Sequence, residues 1–94
     1  MSKVELRRFD PAEFLDSDEA VAEYLTAALE TDDPAFVADA LGVVARTTGM
    51  SEVAKAAGLG RESLYKALSA DGNPEVATVL KVVKALGLQL AARA

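Results

Sequence analysis

Polar side chains crowd one ten-residue stretch, GRESLYKALS (residues 60–69), among them Arg61, Glu62, Tyr65, Lys66 and Ser69. Their types suit the edges and backbone of a nucleic-acid duplex. An arginine can donate two hydrogen bonds to guanine O6 and N7, and a glutamate can accept one from cytosine N4. Lys66 suits a phosphate, and Tyr65 suits a phosphate or a thymine methyl group. Ser51 and Lys55 lie just upstream in MSEVAKAA. They add a hydroxyl at a helix start and an ammonium group, both fitted to phosphate oxygens.

Other chemistry has little to work with. The 94 residues contain no cysteine and no histidine, so there is no disulfide framework, no cysteine-based metal site and no imidazole acid–base group. No glycine-rich phosphate loop, nucleophile–base pair or metal-ligand spacing is present, so neither a catalytic residue nor a cofactor or metal is expected. The neighbouring carboxylates Asp32 and Asp33 stand directly before Pro34, where helix capping is their natural use. MSKVELRRFD has no apolar core of signal-peptide length, and no run approaches a membrane span. A cytoplasmic protein is expected, with no membrane partner.

The net charge of −5 is the wrong sign for a nucleic-acid binder, but it is unevenly spread. Residues 1–33 hold ten acids against three bases, whereas residues 34–94 hold seven bases against five acids. Arg46, Lys55, Arg61 and Lys66 fall in or just before the polar stretch. The acids of the first third need a different use: helix capping, a solvated face, or attraction of a basic protein.

The elements that must position these residues follow from stops, caps and periodicity. Lys3–Phe9 alternates like a short strand, and Asp10-Pro11 opens a brief helical turn through Leu15. Ser17 or Asp18 caps a helix over about 19–30, with Val21, Leu25, Ala28 and Leu29 as its apolar stripe. Asp33 and Pro34 start a second helix, about 35–47, packed through Val37, Ala40, Leu41 and Val44 and closed by Gly49. Ser51 caps a short third helix to Ala57, and Arg61–Leu68 forms a fourth. Asn73-Pro74 repeats the cap-plus-proline device before a fifth helix, 75–86, whose expected inner face is Val76, Val79, Leu80, Val83 and Leu86. Gly87 ends it, and Leu88–Leu90 is a candidate terminal strand.

The reading is therefore all-α: a single five-helix, phage-repressor-like helix-turn-helix domain over residues 1–94. Residues 1–16 form an extended arm and short turn, residues 50–69 the helix-turn-helix, and residues 87–94 an extended tail. Such a motif needs a small residue in its first helix, a left-handed residue at the turn and apolar anchors on the second helix. Ala54, Gly58, and Leu64 with Leu68 meet those needs, while Leu59 plugs the turn. With the leucines inward, Glu62, Tyr65, Lys66 and Ser69 face or flank the outside and Arg61 sits at the helix tip. Two helices joined by a glycine also occur in domains that never touch DNA, where the same leucines are core and the polar residues a solvated face. The weak local charge makes a dimer the natural way to hold a duplex, and a domain this small also gains stability from a partner subunit.

The runs FDPAEFLDSDEAVAEYLTAALE, DPAFVADALGVVARTTGMSEVAKAAGLGRESLYKALS and GNPEVATVLKVVKALGLQL resemble the bacterial addiction-module antidote proteins, small helix-turn-helix antitoxins similar to the HigA antitoxins. The resemblance covers about residues 7–91. It implies a protein that binds and neutralises a toxin of the RelE/ParE-like superfamily and represses its own operon as a homodimer on operator DNA. Carried onto this chain, the DNA-reading positions are Arg61, Glu62, Tyr65, Lys66 and Ser69, supported by Ser51 and Lys55. Gly60 departs from the pattern, standing where such motifs often carry a serine cap. Two alternatives remain: a stand-alone phage-type repressor with no toxin, and a protein-interaction module that has lost DNA binding.

Overall fold

Ser17 and Asp33 each start a helix by the same device. The Ser17 hydroxyl accepts from the backbone N–H of Ala20 at 3.1 Å, and the Asp33 carboxylate accepts from that of Ala35 at 3.0 Å. Each thereby satisfies an amide that the first helical turn leaves without a partner. They open α1 (Asp18–Leu29) and α2 (Pro34–Thr48), the latter with proline in its first turn. Between them, Thr31 Oγ1 donates to the Ala28 carbonyl and accepts from the Asp33 N–H, while Asp32 takes a left-handed conformation at φ 58°. Aspartate is one of the few non-glycine residues that tolerates that region. Replacing Asp33 by alanine is expected to cost about 1 kcal/mol, lowering the melting temperature by roughly 4–8 °C for a domain of this size. Thermal unfolding followed by circular dichroism checks it.

The computed structural model describes residues 15–69 and 71–94. Three further helices complete the order: α3 (Met50–Ala57), α4 (Arg61–Ala67) and α5 (Val76–Ala85). The chain is all-α, with five helices and no strand among the described residues. The expected N-terminal arm and helical turn lie almost wholly outside those residues. Leu88–Leu90, the candidate strand, is not helical and is not paired as a strand among them.

All five helices contribute to one core. Leu25 and Ala28 come from α1, Ala40, Leu41, Val44 and Ala45 from α2, and Met50, Val53 and Ala54 from α3. Leu64 from α4, Leu68 just beyond it, and Val82 and Val83 from α5 complete it. None of the described buried residues is polar or charged. The expected stripes of α1 and α2 are largely correct, although Leu29 turns out 42% exposed.

The expected inner face of α5 was misplaced. Val82 is fully buried, whereas Val76 and Leu80 are 74% and 50% exposed. The helix is apolar over more than one face, and periodicity alone selected the wrong overlapping set. The face that packs is Val79, Val82, Val83 and Leu86, at i, i+3, i+4 and i+7. Nor does Asn73-Pro74 start α5. The residue before its first turn is Glu75, which makes no side-chain cap hydrogen bond. Gly87, at φ 80°, closes the helix as expected: its own N–H bonds the Lys84 carbonyl, and the Leu88 N–H reaches back to Val83. Leu88 is thereby turned onto the core.

Candidate nucleic-acid interface

Gly58 is where the two short helices meet. Its backbone is left-handed, φ 72° and ψ 32°. Its N–H bonds the Lys55 carbonyl, and the Leu59 N–H reaches the Ala54 carbonyl at 2.9 Å, the pairing that accompanies a left-handed glycine at a helix end. Ala54 is buried under this turn, and Leu59 packs half-buried against the core. Leu64 and Leu68 are 1% and 0% exposed and pin α4 from within. Ala54, Gly58, Leu59, Leu64 and Leu68 thus have the backbone conformation and burial expected of them.

A further residue, not anticipated from the sequence, fixes how deeply the end of α4 seats. A Cβ built on Gly42, in the middle of α2, would collide with the backbone carbonyl oxygen of Leu68. The chain at the end of α4 lies directly against the α2 backbone, an approach only glycine permits. The signal was available: a glycine inside an otherwise Ala- and Val-rich helix costs about 1 kcal/mol against alanine and usually has a packing reason.

With the leucines inside, the outer face of α4 is polar. Arg61 occupies the first position of the helix; Arg61, Glu62, Tyr65 and Lys66 are all exposed. The Arg61 guanidinium carbon lies 6.0 Å from the centre of the Tyr65 ring, one helical turn on. That is the outer limit for a cation–π interaction, and it places the two side chains side by side rather than fanned apart. Lys55 is exposed in the last turn of α3.

Two of the expected site residues sit differently. Ser51 does not cap α3; Gly49 precedes the helix at φ 122°, and Ser51 is exposed within the first turn. The serine arrives too late to cap, because the positive-φ glycine that ends α2 also begins α3. Ser69 lies beyond the end of α4, half-buried, and its hydroxyl donates to the Lys66 carbonyl at 2.9 Å. It closes the helix rather than standing free on the outer face. Gly60, as expected, starts α4 without a side-chain cap.

Among the described carboxylates of the first third, Asp33 caps α2, and Asp16, Asp18, Glu19, Glu23, Glu30 and Asp32 are exposed. Among the described residues no group of three or more carboxylates is placed to hold a metal ion. No helix among them is long and apolar enough to cross a membrane.

The fold is that of a small all-α domain, with two short helices joined at a glycine and a mixed-sign polar surface on the second. The chain belongs to the family described as probable addiction module antidote protein, whose model matches residues 5–94. It is also 51% identical over 85 residues to an uncharacterized protein of Haemophilus influenzae, covering 90% of this chain and 88% of that one. No solved structure matches it. Membership of an antidote family implies a toxin as partner and a role that is not catalytic.

Proposed function

We propose that this chain is an antitoxin that neutralises a RelE/ParE-like toxin by direct binding and represses its own operon through α4, acting as a cytoplasmic homodimer. The observation that carries the DNA-binding half is the separation of roles on α4. Leu64, with Leu68 after it, is wholly committed to the core, which leaves Arg61, Glu62, Tyr65 and Lys66 exposed together. That is the form of a recognition helix whose N-terminal residues meet base edges while flanking cations meet phosphates. Lys55, and Ser51 in the first turn of α3, fall where such flanking interactions are made. The family supports the toxin-binding half.

A homodimer supplies what one copy lacks. Residues 46–69 carry four bases against two acids, little charge with which to hold a duplex. Two copies double it and set two α4 helices against half-sites about 34–36 Å apart. Apolar surface for such an interface is available on α5, where Val76 and Leu80 stand exposed one turn apart.

The test has two arms. In a growth assay, the chain is expected to rescue cells that express the small protein encoded by the neighbouring reading frame. In a gel shift, the purified chain should retard DNA from upstream of its own gene and lose that binding steeply with salt, by about 0.9 log units per log unit of salt for each phosphate engaged. Rescue without retardation would leave a protein-interaction module; retardation without rescue would leave a stand-alone repressor.

A further inference from the structure

The C-terminal tail returns past α1, α2 and α5 and encloses with them an open groove of about 1270 Å³. Its floor is apolar, made by Leu25, Leu41, Val79 and Val83, and its rim carries Leu29 and Leu90, each 42% exposed. Glu30 and Asp32 also line it, with Arg93 the one base among the lining residues. The two carboxylates belong to a longer acidic tract: from Leu15 to Asp33 there are seven acids, namely Asp16, Asp18, Glu19, Glu23, Glu30, Asp32 and Asp33, and no base.

We infer that this groove holds the toxin, through a basic amphipathic segment whose apolar side chains enter between Leu29 and Leu90 while its cations meet Glu30 and Asp32. The inference rests on the antitoxin reading and adds to it the surface and the chemistry of the bound segment. Charge selects this occupant over the others. A nucleic-acid backbone would be repelled by Glu30 and Asp32 in the lining and by the acidic tract that they continue. A second copy docked on the same patch would oppose acidic tract to acidic tract, in a protein already at −5. A segment that is both apolar and basic satisfies floor and rim together, with complementary charge steering the encounter. The groove and the polar face of α4 are built from different residues, so toxin and DNA need not compete for the same side chains.

The test is co-expression of the full chain with a tagged copy of the neighbouring gene's product, read by pull-down and by growth rescue. The groove variants are Glu30→Lys with Asp32→Asn, and separately Leu29→Ser. Asparagine keeps a side chain that tolerates the left-handed backbone at position 32, and Leu29 is exposed enough to be replaced without opening the core. Each variant is expected to yield at least about tenfold less complex than wild type, with an unchanged melting temperature and mass when free. Arg61→Ala with Lys66→Ala should be retained like wild type. Groove variants that are held as tightly as wild type overturn the groove assignment and leave the antitoxin reading standing. A groove variant that changes the oligomeric mass of the free chain also overturns it, by showing that a second copy fills the groove. A wild-type chain that is not held at all overturns the antitoxin reading, and the groove assignment falls with it.

Discussion

Replacing Gly42 by alanine is expected to destabilise the protein by about 3 kcal/mol, although alanine is the better helix former. At an exposed mid-helix position the same change would add roughly 0.5–1 kcal/mol of stability. Here the new methyl group would collide with the Leu68 carbonyl oxygen, and the guanidinium Nη1 of Arg46 would lie 3.2 Å from it. The arginine can swing away, but the carbonyl belongs to backbone. It cannot retreat without drawing Leu68, which is fully buried, out of the core. Forced overpacking of this kind costs about 1–3 kcal/mol and occasionally more. With two backbones touching, the upper end applies. Against a total stability of roughly 5–14 kcal/mol for a domain of this length, the loss is severe. Chemical denaturation of the two proteins measures it. Because the local and tertiary effects have opposite signs, a Gly42→Ala protein more stable than wild type would show that α2 and the end of α4 do not touch.

The second large effect concerns binding rather than folding. On the proposed reading, Arg61→Ala removes a base interaction worth about 1–3 kcal/mol from each recognition helix, and a dimer suffers it twice. Lys66→Ala frees one phosphate per helix and should lower the salt slope by about 1 for each phosphate no longer engaged. Together they are expected to abolish detectable operator binding in a gel shift. The single variants should differ in kind: Arg61→Ala flattens the preference between bases at one position of each half-site, whereas Lys66→Ala weakens all sequences alike. Both side chains are exposed, so melting temperatures should stay within a few degrees of wild type, since surface changes usually fall within about 0.5 kcal/mol. A double variant that binds operator as tightly as wild type would mean that α4 is not the reading element.

How much of this could be read from the sequence depended on whether the cause was local. Asp33 was legible, and Ser17 was one of two adjacent candidates, because a cap acts within three residues of itself. Gly58 was legible because its left-handed backbone is a property of one residue between two amphipathic patterns. The misread caps, Ser51 and Asn73, are also local, but in each case the chain begins its helix at a different residue. Gly49 can both end α2 and precede α3, which moves the start of α3 ahead of Ser51. The face of α5 was harder still. Val76, Val79, Leu80, Val82, Val83 and Leu86 surround most of the helix, and only the elements packed against it, α3 above all, select which of them are buried.

The role of Gly42 and the existence of the groove are tertiary. The first needs the Leu68 carbonyl to be brought against α2, and the second needs Gly87 to turn the tail back toward α1. For the candidate reading face, Arg61, Glu62, Tyr65 and Lys66 were legible as exposed because the leucines that pin α4 were legible as buried. Ser69 was not, because the helix ends before reaching it and the hydroxyl is used to close that end.

Since Arg61, Glu62, Tyr65 and Lys66 are exposed and lie outside the core, their identities can change with little effect on folding. If α4 reads operator DNA as proposed, duplicated copies of such a gene could acquire distinct operators by changing residues 61, 62, 65 and 66, while every copy kept the same core and the same glycine beneath Leu68. Related modules in one genome would thus become insulated from each other's promoters at little cost in stability.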